Sequence, residues 1–325
     1  MASPSFFSIY LDDLFSLLKN SNFGCHIGPY FYGVQGYAYD CALLSPDHYG
    51  LQKMMDICKS YFDNHKIAIS TNVILSKSKT KCIVFGSNEV PAPIRIVEEN
   101  IPWENSKALP WVESWPHLGH LLHQDESLDH DLLQKRGRFI GKIHSLRQEF
   151  GQKDPIVYMK LVSIFLTSFY GSNLWDLFGD SAERLYSSWN IMVRYCFDIP
   201  RTSHRYLIEA ISGTTHLKIK LIKRFIQFYK TLFTCDRPNL KFLANIQKSD
   251  FRSVFGRNVR NICQESDVEV ITEVDLSNVS YVSVPIEEEW RISLVKELLE
   301  IRAGRLSSIL TEKELEKLLF IATSQ

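Results

Sequence analysis

No run of about 18 uninterrupted apolar residues occurs in the 325-residue chain, which argues against a membrane span. No basic leader precedes an apolar stretch at the start: Asp12 and Asp13 sit in the middle of the first 25 residues, so a secretory signal is not expected. Net charge is missing too. Thirty-seven basic residues balance 37 acidic ones, so no global field steers the protein toward nucleic acid. There is no C-x-x-C pair among the seven cysteines at 25, 41, 58, 82, 196, 235 and 263, which speaks against a zinc ribbon or a thioredoxin-type motif. An odd, scattered set reads as reduced, mostly buried thiols in an intracellular protein. What remains is ordinary: 45% apolar and 12% aromatic residues, enough for a folded chain of two or so domains.

Hydrophobic periodicity predicts a helix over 3–20, started by Ser3-Pro4 and carried by Phe6, Phe7, Tyr10, Leu11, Leu14, Leu17 and Leu18. Two short strands are expected at 30–37 and 41–45, with Tyr37-Ala38-Tyr39-Asp40 as a tight turn. A second helix is expected from Ser45-Pro46-Asp47 to about His65. Lys77–Gly86 reads as a basic turn running into an apolar strand. Residues 91–116 hold five of twelve prolines and three of six tryptophans, which suits short edge strands and turns. Leu118-Gly119-His120-Leu121-Leu122 reads as one more strand. After Gln124 the pattern turns helical, with helices expected at 127–150, 154–178 and 181–197 and shorter ones over 203–260. The expected class is α+β: strands and helices over 1–124, helices only over 125–325.

Charge is unevenly spread. Residues 216–260 hold eleven Lys or Arg against two Asp, and residues 261–290 hold eight acids and no Lys or Arg. That sign switch marks a boundary near 261–285. Two charged amphipathic helices are expected at 286–303 and 311–322. Lys135, Arg136, Arg138, Lys142 and Arg147 lie within a few turns of one expected helix, as either a solvated face or a phosphate-contacting one. Lys218, Lys220, Lys223 and Arg224 interleave with Phe225, Phe228 and Tyr229, as either an amphipathic helix with its aromatics in the core or a stacking surface. Asp12 and Asp13 are adjacent on a helix and point about 100° apart, so they do not converge on a metal. His117, His120 and His123 share a face only on a helix; on a strand, His117 and His120 point to opposite faces, and no zinc site is expected.

The order of these segments carries a resemblance. Ser3-Pro4-Ser5-Phe6-Phe7-Ser8-Ile9-Tyr10-Leu11-Asp12-Asp13-Leu14, Gly36-Tyr37-Ala38-Tyr39-Asp40-Cys41-Ala42-Leu43-Leu44-Ser45, Lys79-Thr80-Lys81-Cys82-Ile83-Val84-Phe85 and His117-Leu118-Gly119-His120 follow one another. Together they resemble motifs B (second half), C, D and E of the reverse transcriptase of non-LTR, LINE-like retrotransposons. The resemblance implies a partial right-hand polymerase palm at 1–124, with a small antiparallel sheet, and a helical thumb at 125–200. A helical basic segment with an acidic linker at 201–285 and C-terminal helices at 286–325 would follow. It implies RNA-directed DNA polymerisation as the family activity, RNA or an RNA–DNA duplex as partner, and work at chromosomal DNA in the nucleus.

The same resemblance argues against activity here. The family reaction uses two Mg²⁺ ions held by a motif A Asp and the motif C pair, chiefly its first Asp. The chain begins inside motif B, and Tyr39 stands where that first Asp belongs. Asp40 is the vestigial second position, and Lys79 the vestigial motif D lysine. A catalytic Mg²⁺ pair is therefore not expected, nor any other cofactor. Gly119, His120, Lys135, Arg136, Arg138, Lys142, Lys223 and Arg224 are the expected nucleic-acid contacts. The alternatives are a helical scaffold that meets a protein partner through 286–322, or a gene relic without function.

Overall fold

The computed structural model describes residues 3–38, 40–71, 78–87, 89–97, 102–103, 106–150, 158–159, 161–197, 200–202 and 215–266. The chain divides into two units, 1–127 and 128–325. Among the described residues the first mixes short strands with helices and the second is helical, so the class is α+β. The helices expected at 286–303 and 311–322, the acidic stretch beyond 266 and the turn residue Tyr39 lie outside the described residues.

In the first unit α1 (Ser3–Asn20) and α2 (His48–Asn64) bury one apolar stripe each. Leu11, Leu14 and Leu18 recur at three and four and meet Met54, Cys58 and Tyr61 of α2. The Tyr61 hydroxyl donates to the Tyr10 carbonyl and ties the two helices together. Asp47 caps α2 by accepting from the Gly50 N–H at 2.7 Å. A side chain at Gly50 would meet the Ser45 hydroxyl at 2.6 Å and the Asp47 carboxylate at 3.2 Å, so either side chain would have to turn to admit one. Asp12 and Asp13 are both exposed on α1.

The strands come in four antiparallel pairs: β1 (His26–Ile27) with β2 (Tyr30–Phe31), β3 (Val34–Tyr37) with β4 (Asp40–Leu43), β5 (Arg95–Ile96) with β6 (Lys107–Ala108), and β7 (Ser114–His117) with β8 (His120–His123). Residues 30–37 are thus two strands rather than one, because Tyr30 and Phe31 turn back onto Ile27 and His26. Gln52 of α2 stands in for a strand partner. Its Oε1 accepts from Arg95 N–H and its Nε2 donates to Arg95 C=O, both at 2.8 Å. This clip seats β5 over a second small core of Met55, Cys82, Ile94, Ile96 and Leu109.

Two strand expectations fail. Residues 82–86 form no strand; Cys82 makes one bridge to Trp111. Cys82 N–H donates to Pro110 C=O and Cys82 C=O accepts from Val112 N–H, and Pro110 has no N–H with which to extend the ladder. Residues 118–122 are not one strand either. Leu118 (φ 47°) and Gly119 (φ 80°) both take left-handed conformations and reverse the chain. His117 and His120 are consequently cross-strand partners rather than residues on opposite faces of one strand.

In the second unit α3 (Asp129–Phe150), α4 (Asp180–Phe197), α5 (Leu217–Thr234), α6 (Pro238–Ser249) and α7 (Val254–Ser266) follow one another. The core draws Leu132, Phe139 and Ile143 from α3, Leu185, Tyr186, Trp189 and Val193 from α4, and Leu221, Phe225 and Tyr229 from α5. The continuous helix expected at 154–178 is broken. A π-helical turn at Val162–Leu166 gives way to Phe169 (φ 33°), Gly171 (φ 77°) and a 3₁₀ turn at Ser172–Leu174. Arg224 donates to the carbonyls of Thr167 (2.7 Å) and Ser168 (2.6 Å), which satisfies groups that a continuing helix would have bonded.

Candidate nucleic-acid interface

The β3–β4 hairpin pairs Tyr37 with Asp40 at its tip, leaving a two-residue turn. Ala38 holds φ 50° there, a conformation that costs a non-glycine residue about 1–2 kcal/mol. Gln35, Gly36, Tyr37, Asp40 and Cys41 are exposed, while Val34 and Leu43 rest on the α1–α2 core. Among the described residues Asp40 belongs to no group of three or more metal-ligating side chains. One solvated carboxylate does not hold a pair of hard divalent ions, so the residues present do not fit the two-metal site of a polymerase. Lys79 is exposed beside Thr80, whose hydroxyl donates to Ser70 C=O at 2.9 Å.

Gly119 and His120 sit at the tip of the β7–β8 hairpin, with His120 half-buried. The hairpin is short and its turn is strained at Leu118, which is 38% exposed.

The expected basic face of α3 divides in two. Lys135 is turned inward: its ammonium lies 2.9 Å from the Asp131 carboxylate and 2.7 Å from Tyr170 C=O. It also stands 5.4 Å over the Trp175 ring. Arg136 donates from Nε to the Ser188 hydroxyl at 2.7 Å, binding α3 to α4. Arg147 stacks 3.7 Å over the Tyr195 ring. Arg138 and Lys142 are exposed. They flank Gly137 and Gly141, where an added Cβ would meet nothing within 4 Å. Ser145 continues that line at a spacing of four.

The basic stretch of α5 also turns inward. Arg224 holds the 167–168 carbonyls as above, and burial pulls its guanidinium down from the ordinary value. Burial likewise lowers Lys220, which lies 5.3 Å over the Trp189 ring. Lys218 stands between Glu183 (3.9 Å) and Glu265 (3.6 Å). Phe225 and Tyr229 are in the core, and Phe228 packs on Phe255, so the stacking surface read from their interleaving is not there. Lys223 is half-buried. Of the eight expected contacts, Arg138 and Lys142 are therefore the two exposed side chains brought together on one helix.

Sequence reasoning missed two features. The open glycines of α3 were legible as G-x-x-x-G within a charged helix. The turn at 250–253 carried no signal, since its Phe251 looks like any other core aromatic in a helical segment.

Compared with protein-family models, curated proteins and solved structures, the chain matches none. No helix among the described residues is long and apolar enough to cross a membrane.

Proposed function

We propose that this chain is a reverse-transcriptase-like palm and thumb of the non-LTR retrotransposon type. It holds RNA or an RNA–DNA duplex without sequence preference and performs no polymerase chemistry. The observation that carries the reading is α3. This 22-residue helix turns Arg138 and Lys142 to solvent beside two glycines. A glycine inside a helix costs about 1 kcal/mol relative to alanine. Gly137 and Gly141 make no close packing that would justify that cost, and their lack of side chains lets a polymer backbone approach the helix closely. Two flanking cations suit phosphates. The absence of polymerase chemistry rests on Tyr39 in the place of a carboxylate and on the isolation of Asp40 from other ligands among the described residues. A phenol is neutral at pH 7 and a poor Mg²⁺ ligand.

Fluorescence anisotropy of a labelled RNA–DNA duplex over a salt series tests the reading. Binding should fall steeply with salt, and Arg138→Glu with Lys142→Glu should flatten the log–log slope by about 2. Gly141→Leu should raise helix stability and weaken duplex binding, two effects of opposite sign that a packing defect would not produce. Absence of binding at low salt refutes the duplex contact, and a salt-independent association would point to the scaffold reading instead. Primer extension above background with Mg²⁺ refutes the loss of chemistry.

A further inference from the structure

We propose that the turn between α6 and α7 is a contact site for single-stranded nucleic acid. Phe251 is the surface on which a base stacks, and the guanidinium groups of Arg252 and Arg260 meet the flanking phosphates. This site uses residues separate from the α3 face.

Phe251 is 66% exposed at the apex of the turn. The adjoining Arg252 side chain is 82% exposed. Three guanidinium groups converge on this one turn. Arg260 reaches back along α7 to the Phe251 carbonyl at 3.2 Å, Arg257 reaches the Arg252 carbonyl, and Arg252 lies 3.4 Å from Asp250. Two carboxylates stand against them, Asp250 and Asp176, the latter taking Arg257 at 2.8 Å. Lys248, on the last turn of α6, is drawn instead over the Tyr229 and Phe233 rings at 5.8 Å, so the surplus rests on three guanidinium groups against two carboxylates. The local field therefore favours a polyanion.

The turn is also built rigidly. The Ser253 hydroxyl donates to Gln247 C=O at 2.6 Å and accepts from the Gly256 N–H at 2.9 Å, capping α7. Gly256 lets α7 start directly against α6: a Cβ there would fall 2.3 Å from the Asp250 carbonyl. None of these bonds needs an aromatic at 251, and a polar residue would serve the turn as well in water. A large apolar ring turned outward among arginines on a rigid turn suits a partner that offers both a planar face and negative charge. Bases and phosphates supply both, and base–aromatic stacking tolerates any sequence. An anionic membrane would reward several inserted apolar side chains rather than one ring.

The test is anisotropy of a labelled oligothymidine with the full chain. Phe251→Ala should weaken binding by about tenfold, Phe251→Trp should keep it, and Phe251→Leu should behave like alanine. Arg252→Ala and Arg260→Ala should each flatten the salt slope by roughly 0.7. Because Phe251 and Arg252 are exposed, their variants should melt with the parent protein. The proposal is overturned if the alanine variant binds as the parent does, or if leucine restores binding, which would mean apolar contact without stacking. It is also overturned if Phe251→Ala reduces co-sedimentation with phosphatidylserine vesicles and leaves oligothymidine binding unchanged. The Arg138→Glu, Lys142→Glu protein separates the two sites. Loss of duplex and oligothymidine binding there, with the turn variants silent, overturns the turn and spares α3. Loss with the turn variants alone supports the turn and removes α3.

Discussion

Replacing Lys135 by alanine should destabilise the protein far more than it weakens nucleic-acid binding. The Asp131 carboxylate is 1% exposed. Lys135 Nζ lies 2.9 Å from it, with 12% of its own side chain exposed, and Trp175 Nε1 donates to the same oxygen at 2.9 Å. Lys135 also caps the Tyr170 carbonyl and covers the Trp175 ring. Removing the cation strands a charge in the interior, and breaking a buried pair from one side costs about 3–5 kcal/mol. For a domain of this size the melting temperature should fall by roughly 6–20 °C. Lys59→Ala is the control. Lys59 pairs with Asp63 at 2.5 Å on α2, but Asp63 is 57% exposed, so the loss should stay near 0.5 kcal/mol. Urea unfolding followed by near-ultraviolet circular dichroism reports both. A Lys135→Ala loss below about 1 kcal/mol would refute the buried pair and return this lysine to the solvent face.

Three further outcomes follow from the packing. Leu118→Asn should stabilise the β7–β8 hairpin by about 1 kcal/mol, because Asn tolerates the left-handed backbone that Leu118 is forced into; unfolding midpoints would show it, and a loss would mean the exposed leucine is packed. Asn258 is fully buried, donating to Trp175 C=O at 2.8 Å and accepting Leu177 N–H at 3.0 Å, so Asn258→Ala should cost about 2–4 kcal/mol by thermal unfolding. Burial pushes the thiols of Cys58, Cys82 and Cys196 up to about 12, so at pH 8 these three should react with a disulfide reagent only after denaturant is added, read by site-resolved mass spectrometry.

The helices were legible because their cores obey one period. Leu11, Leu14 and Leu18 repeat at three and four, Leu185, Trp189 and Val193 at four, and burial follows the repeat. The strands were less legible because each is two to four residues long, too short for alternation to register. Residues 118–122 misled for a definite reason: an apolar run hides a turn when its reversal rests on a leucine, which seldom takes positive φ. The break at 167–171 was hidden for another. It is held by Arg224, 56 residues further along, and a local window does not contain its cause.

Cations mislead in the same way, and here the aromatics decide between them. In α5 and in the α6–α7 turn alike, arginines and lysines stand beside phenylalanine and tyrosine. In α5 the rings point to the core, Phe225 at 0% and Tyr229 at 2% exposed, and the cations around them are drawn in to ring faces and carbonyls. Around Phe251 the ring points out, and Arg257 and Arg260 bond the backbone of the turn that presents it. The first arrangement uses charge to complete a fold. The second uses part of its charge to stiffen a surface and leaves Arg252 largely exposed beside Asp250. A phosphate meeting α5 would have to compete with buried partners, whereas one meeting the turn competes at Arg252 only with Asp250, 3.4 Å away on an 82% exposed side chain, beside a ring that is already in water. This difference in prior commitment, rather than the number of basic residues, is why binding should respond to Phe251 and Arg252 and not to Arg224.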